Sequence, residues 1–238
     1  MNKNRKTIMV SGCTRGIGRG VCEWFAQKGF NVAGFARTKP DIERMRERME
    51  KSFPQQHFFF VNADASKKEQ VKKFGADVLE KFSKVDILVN NAGTFVPGTL
   101  LHEPETNLEK LIETNLYSAY FLSRVIVPAM IKNKSGHVFN ICSIASLNAY
   151  ENGGSYTISK FALRGFSKQL RMETMDKSIR ITGILPGATL TDSWHDTDVK
   201  DSRFIMPEDI AKTIWNCYEL SDSANVDEIV IRPKLGDI

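Results

Sequence analysis

Tyr156 and Lys160 lie four residues apart in the stretch SYTISKFAL, residues 155–163. Residues at that spacing share one face of a helix, so a phenol and an ammonium point the same way. A solvated surface pair is the plain explanation. The chemical one is proton transfer: a tyrosine titrating near 10 is a slow acid–base at neutral pH, and a neighbouring cation stabilises its phenolate. At ~4 Å and an effective dielectric of ~20 the attraction reaches about 4 kcal/mol before desolvation, or at most about three pK units. The other four tyrosines, Tyr117, Tyr120, Tyr150 and Tyr218, carry Phe, Arg, Gly and Asp at the same offset. The pairing is therefore no general habit of the chain.

The elements that must position this pair can be read from hydrophobic patterning. Strands are expected at 7–12, 31–37, 57–64, 86–93, 136–144, 179–187 and 226–233. Helices are expected at 17–29, 41–52, 67–82, 155–174 and 208–220, and a long helical region at 105–132 should break or bend near Pro128. Strands alternating with helices imply βαβ units with right-handed crossovers. The expected class is α/β, a doubly wound Rossmann-type parallel sheet of about seven strands with helices on both faces. No linker, repeat or low-complexity stretch divides the chain, so a single domain over residues 1–238 is expected. Ligands of such sheets bind beyond the carboxyl ends of the strands. The polar clusters that follow the strands thus belong to one rim.

Composition narrows the function. The 238 residues are 42% hydrophobic and 26% charged, ordinary for a globular protein. The net charge of +5 comes from 33 basic residues scattered among 28 acidic ones, with no basic arm, so a nucleic-acid partner is not expected. Four cysteines without C-x-x-C spacing and four dispersed histidines give no metal site. Unpaired cysteines suit a reducing compartment. The basic start lacks an apolar leader and no apolar run approaches a membrane span, so the expectation is a cytoplasmic protein with no membrane partner.

Four short segments follow the expected strands and join the Tyr156–Lys160 pair in one order. Ser11-Gly12-Cys13-Thr14-Arg15-Gly16-Ile17-Gly18 joins the first strand to the first helix, the context of a dinucleotide-binding turn. Its glycines let backbone approach a pyrophosphate, and the helix amino end attracts the anion. Asn90-Asn91-Ala92-Gly93 ends the fourth strand, and Asn140-Ile141-Cys142-Ser143 the fifth. Ser143 precedes Tyr156 by thirteen residues, and Pro186-Gly187, followed by Thr191, ends the sixth strand. In this order the segments resemble the signatures of the classical short-chain dehydrogenase/reductase family, with Ser11 for its usual threonine and Cys142 for a serine.

The resemblance implies an oxidoreductase that interconverts a ketone or aldehyde with an alcohol by hydride transfer. It implies Tyr156 as acid–base, Lys160 as its cationic neighbour and holder of the nicotinamide ribose, and Ser143 as hydrogen-bond partner of the substrate oxygen. Asn115 completes the expected catalytic set. It falls on the stripe Leu108, Leu111, Ile112, Asn115 of a helix face, so its amide should be buried and satisfied. A core hydrogen bond would do so; the family suggests a water-mediated proton relay.

Cofactor contacts are implied at Gly12, Thr14, Arg15, Gly16, Ile17 and Gly18 of the turn. Others are implied at Asp64 and Ala65 after the third strand and at Asn91, Ala92 and Gly93 after the fourth. Tyr156 and Lys160 are shared with the catalytic set, and Pro186, Gly187, Thr189 and Thr191 close the site. The preferred cofactor is expected to be NADP(H), with NAD(H) possible. The second strand ends Phe35-Ala36-Arg37-Thr38 with no acid until Asp41 beyond Pro40. An acid at the strand end would bind a ribose 2′-hydroxyl and repel a 2′-phosphate. Arg37 instead offers a guanidinium, and Arg15 a second.

The substrate should be a small carbonyl or alcohol compound meeting Ser143, Tyr156, Phe95, Asn148 and Trp194. Thr94, Ile144, Ala149, Tyr150, Ala188 and His195 are further candidates; nothing in the residues names the compound. A homodimer or homotetramer is expected. The ending VDEIVIRPKLGDI lacks the glycine-rich close common in tetrameric family members, and a dimer through the helices bearing Asn115 and Tyr156 is the other arrangement. The alternative function is a catalytically silent dinucleotide-binding regulator of the same fold. Intact Asn115, Ser143, Tyr156 and Lys160 favour the enzyme.

Overall fold

A computed structural model describes residues 5–194 and 197–238 of the chain. Among them, β1 (Thr7–Ser11), β2 (Asn31–Ala36), β3 (Phe58–Asn62), β4 (Ile87–Asn90), β5 (Gly136–Ile141), β6 (Ile179–Pro186) and β7 (Glu228–Ile231) form one parallel sheet. The order is β3-β2-β1-β4-β5-β6-β7. Ile8 pairs with Val32 on one side and Ile87 on the other, so the chain reverses its direction of winding between β1 and β4. That reversal opens a crevice above the carboxyl ends of these strands.

Helices α1 (Gly16–Gln27), α2 (Lys39–Ser52) and α7 (Pro207–Tyr218) cover one face. They bury Val21, Phe25, Met45, Met49, Ile210 and Ile214 against Ile8, Val10, Ile87 and Val89 of the sheet. The opposite face receives α3 (Lys68–Phe82) and α5 (Ser118–Lys132), through Val71, Phe74, Leu122 and Ile126 packed on Met9 and Leu88. Successive residues of β1 and β4 thus serve opposite cores, the period of two that a strand dictates. Each fully buried large side chain contributes roughly 1.5–3 kcal/mol. The doubly wound architecture and its seven strands match the expectation from sequence.

The long helical region differs from expectation. It comprises α4 (Asn107–Ile112), a π turn at Glu113–Tyr117 and α5, which runs through Pro128 without ending. Pro128 removes one hydrogen bond, but its neighbours Ile126, Val127 and Met130 are buried and hold the helix in place. The irregularity lies upstream, around Asn115. Along the expected stripe Leu108 is exposed, while Leu111 and Asn115 are fully buried. The catalytic-helix candidate, α6 (Gly154–Thr174), packs beside α4 and α5. No helix among the described residues is long and apolar enough to cross a membrane.

Candidate active site and dinucleotide cleft

The turn after β1 is tied across the crevice to the end of β4. Ser11 Oγ accepts the backbone N–H groups of Asn91 and Ala92, each at 2.9 Å. Asn91 Nδ2 donates to the carbonyls of Ser11 at 2.9 Å and Gly12 at 3.0 Å. A serine hydroxyl suffices for this, so the substitution of the family's threonine leaves the tie intact. Gly18 brings α1 onto the turn: a Cβ there would fall 2.1 Å from the Gly12 carbonyl oxygen. Helix α1 starts with Arg15 as N-cap in extended conformation, without a side-chain cap and without an acid in the first turn. Its first N–H groups and positive dipole end are therefore available to an anion at the cavity wall formed by Gly16 and Ile17.

The two candidate phosphate-binding arginines differ sharply. Arg15 donates through Nε (3.1 Å) and Nη2 (2.7 Å) to Asp41 Oδ2, and through Nη1 (2.8 Å) to Asp192. Arg44 also pairs with Asp41. The Arg15 hydrogen bonds hold the Asp41 carboxyl below its ordinary range, and Arg44 adds to the effect. Arg37 lines the cavity and has no ion pair among the described residues. The region beyond β2 thus carries a carboxylate although no acid stands at the strand end. Because α2 begins at Lys39, Asp41 falls in its first turn and is buried in the wall of the cavity. Asp64 turns elsewhere: its Oδ1 accepts Ser66 N–H at 2.9 Å, while Ala63 and Ala65 form the wall beside it.

At the other end of the cleft Ser143, Tyr156 and Lys160 converge. Ser143 follows β5 and opens a short 3₁₀ turn, its Oγ accepting Ala145 N–H at 3.1 Å. Burial pushes the Tyr156 phenol above its usual value of 10.0, and a hydrogen bond with Ser143 acts in the opposite direction. Lys160 Nζ donates to the Ile141 carbonyl at 2.9 Å and stands 5.8 Å from the centre of the Tyr156 ring. Burial pulls its pKa from 10.5 down to about 8. This corrects the expected electrostatics. Lys160 donates to the end of β5, and burial outweighs the neighbouring cation, so the Tyr156 phenol stays above its ordinary range. Phe95 stands edge-on to Tyr156, ring centres 4.9 Å apart.

Asn115 is completely buried, and each polar atom of its amide has a partner. Oδ1 accepts Thr94 N–H at 2.8 Å; Nδ2 donates to Thr94 O at 3.0 Å and to Ser159 Oγ at 2.9 Å. The π turn rotates this side chain towards the loop after β4 and the inner face of α6. Asn115 therefore stands behind the cavity wall, joining Thr94 to the residue before Lys160.

These groups share one cavity of about 720 Å³. It runs from Gly12, Thr14, Arg15, Gly16 and Ile17 past Asn91, Ala92 and Gly93 to Ser143, Tyr156 and Lys160. Pro186, Gly187, Thr189 and Thr191 close one side. Phe95, Asn148 and Trp194 line the reacting end, with Thr94, Ile144, Ala149, Tyr150 and Ala188. Gly18, Asp64 and Asn115 support the wall from behind. His195 lies outside the described residues. Sequence reasoning missed Arg232, Asp237 and Ile238, which line the same cavity because the segment after β7 crosses Gly187. The approach is close: a Cβ at Gly187 would fall 3.0 Å from Pro233 Cδ. Cys142, beside Lys160, is buried and its thiol is pushed up to about 12 by desolvation, which leaves it inert at neutral pH.

Comparison with known proteins agrees with this geometry. Residues 6–201 match the family model described as short chain dehydrogenase. Sepiapterin reductase of Chlorobaculum tepidum is 31% identical, with 97% of each chain covered. Diacetyl reductase [(S)-acetoin forming] of Staphylococcus epidermidis is 32% identical over 81% of this chain and 75% of its own. Among solved structures, an alcohol dehydrogenase from the archaeon Thermococcus sibiricus, complexed with 5-hydroxy-NADP, superposes with a TM-score of 0.90 at 25% identity, 97% of each chain being covered.

Proposed function

Because this chain belongs to the short-chain dehydrogenase family, we propose that it is an NADP(H)-dependent oxidoreductase that interconverts a small carbonyl compound and its alcohol. The observation that carries this reading is the convergence of Ser143, Tyr156 and Lys160 in one cavity with an uncapped, acid-free helix start. A dinucleotide fits that cavity: the turn around Gly12 and Gly16 and the α1 amino end would hold its pyrophosphate, and Arg37 its 2′-phosphate. When bound, the nicotinamide supplies or takes the hydride. The archaeal alcohol dehydrogenase carrying 5-hydroxy-NADP supports the phosphorylated cofactor.

The residues supply the proton chemistry. Tyr156 is protonated at neutral pH, since burial raises its pKa, and its hydroxyl is the proton donor to a carbonyl oxygen held by Ser143. Ser143 stabilises the charge that develops on this oxygen. Lys160, with a pKa near 8, keeps a cation at the end of β5 that supports the tyrosinate left after transfer. Asn115 fixes Thr94 against α6 and so shapes the substrate end. Phe95, Tyr150 and Trp194 give this end an aromatic lining that favours a flat or apolar carbonyl compound over a highly charged one.

The whole chain acts in this reading as one cofactor-binding and catalytic domain. Tyr117, Tyr120, Ile158 and Phe161 are exposed on α5 and α6 and the turn between α4 and α5, which supports a homodimer through this face. The four cysteines are free and buried, suited to the cytoplasm. The test is a spectrophotometric screen with NADPH against sepiapterin, diacetyl and simple ketones and aldehydes. Oxidation of NADPH with at least one carbonyl is expected. Tight NADPH binding without turnover of any compound would favour a regulatory dinucleotide-binding protein instead.

A further inference from the structure

The segment after β4 brings Thr94 and Phe95 into the cavity and then returns along the outside of α6. Two joints hold it. Asn115 grips Thr94 through the two hydrogen bonds already described. The second joint lies at residues 98–103, and its centre is Glu103. One carboxylate oxygen, Oε1, accepts the backbone N–H of Ser155 at 3.1 Å and also the Ser155 hydroxyl. The other, Oε2, faces Asn107 Nδ2 at 3.5 Å. Gly98 N–H donates to the Asn152 carbonyl at 3.0 Å, just before α6 begins.

The backbone is shaped to permit this approach. Gly154 has φ of +35°, and a Cβ there would fall 2.5 Å from the Gly98 carbonyl oxygen and 3.0 Å from Glu103 Oε2. Ser155 is 2% exposed and immediately precedes Tyr156. The first N–H groups of a helix have no partner within it, and its amino end favours negative charge. Glu103 meets both needs from a distant loop, since α6 has no side-chain cap of its own.

We propose that Glu103 is a positioning residue that registers the substrate loop against the acid–base tyrosine, an assignment that rests on the oxidoreductase reading above. The carboxylate sets the first turn of α6, and with it the direction of the Tyr156 side chain. By the same contacts it sets the loop that places Phe95 edge-on to that ring. The glycine turn and Arg37, which hold the pyrophosphate and the 2′-phosphate in this reading, lie at the opposite end of the cleft, so most cofactor contacts are remote from this joint.

The test uses the full chain and the variants Glu103→Ala, Glu103→Gln and Ser155→Ala. Hydrogen exchange is followed across residues 94–104 and 152–158, NADPH affinity is titrated by fluorescence, and kcat and KM are measured with sepiapterin and with diacetyl. For Glu103→Ala, exchange in both segments should rise at least about tenfold together, with α1 and β1 unchanged. NADPH affinity should stay within about twofold, and kcat should fall at least about tenfold. Glu103→Gln, which keeps an acceptor oxygen, should lie between this and wild type; Ser155→Ala, which keeps the N–H bond, should be milder still. Unchanged exchange at 152–158 in Glu103→Ala would overturn the proposal, as would a fall in thermal stability with kcat per folded molecule intact. If Glu103→Ala does not fold, Glu103→Gln and Ser155→Ala decide by the same readouts. Should the wild-type protein reduce neither compound, the oxidoreductase reading suffers, while the linked exchange of the two segments still decides the role of Glu103.

Discussion

Lys160 gives its ammonium hydrogen to the carbonyl oxygen of Ile141 at 2.9 Å, anchoring α6 to the carboxyl end of β5. The contact carries a cation 5% exposed into a site where desolvation disfavours charge. Its presence there has consequences that can be measured without any substrate.

The first concerns stability against pH. The folded pKa of Lys160 is about 8, against 10.5 for the free side chain. Between these values the unfolded chain binds more protons than the folded one, so stability rises with pH through that window. The shift corresponds to about 3 kcal/mol withheld below pH 8. Lys160→Met should therefore be more stable than wild type at pH 7 in urea unfolding, less the hydrogen bond lost at Ile141. Its advantage should shrink as pH rises towards 10. Tyr156 acts in the opposite direction only above pH 10, where the folded phenol keeps a proton that the unfolded one releases. A difference independent of pH from 7 to 10 would contradict the buried-cation account.

Removing the acid–base oxygen should abolish turnover and little else. Tyr156→Phe keeps the ring that packs against Phe95, so folding and NADPH affinity should persist while kcat falls at least about a hundredfold. Ser143→Ala should also lower kcat. Stopped-flow and steady-state measurements with a compound found in the carbonyl screen check both variants, and retention of most activity by Tyr156→Phe would remove it from the acid–base role.

Asn115→Ala should affect stability and activity together. Its loss leaves Thr94 N–H and Ser159 Oγ without their buried partner, at a cost of about 1–3 kcal/mol for unsatisfied groups. It also frees Thr94 and the loop bearing Phe95, so kcat should fall about tenfold or more. Denaturant melts and kinetics on the same preparation distinguish this from a purely structural asparagine, which would lower stability alone.

Cofactor preference should depend more on Arg37 than on Arg15. Arg15 is already engaged by two carboxylates, whereas Arg37 has no ion pair among the described residues. A charge-assisted hydrogen bond contributes about 1.5–3 kcal/mol, or roughly ten- to a hundredfold in affinity. Arg37→Ala should weaken NADPH by about that factor and leave NADH nearly unchanged, with a smaller effect from Arg15→Ala. Equal dissociation constants of the two cofactors for the wild-type protein would refute the preference itself.

Most of the sheet was legible because its strands are short apolar runs ending in turn residues, and the order of motifs marks a single rim. Tyr156 and Lys160 were legible from their spacing together with the ordered motifs around them, since the spacing alone fits a solvated surface pair equally well. Their electrostatic relation was not, since spacing places two side chains on one face but does not say that Lys160 will reach the Ile141 carbonyl. Asp41 was set aside for a related reason: distance along the chain from β2 says little once α2 folds back over the strand end. Pro128 drew attention as the place of a break or a bend, yet α5 does not end there, because packing on both sides holds the helix together. The crossing of Gly187 by the segment after β7 depends on contacts distant in sequence, beyond the reach of any local pattern.

The π turn at Glu113–Tyr117 has one further consequence. Such a turn holds one residue more than an α-helical turn does and is found mostly as a single bulge within a helix. Deleting Glu113 or Thr114 would let α4 and α5 join as a regular helix, with both ends free to keep their present seats. The amide of Asn115 would then swing by about 100°, the angle per residue of an α-helix, away from Thr94 and Ser159. The fold and the placement of this one side chain are therefore separable at the level of a single codon.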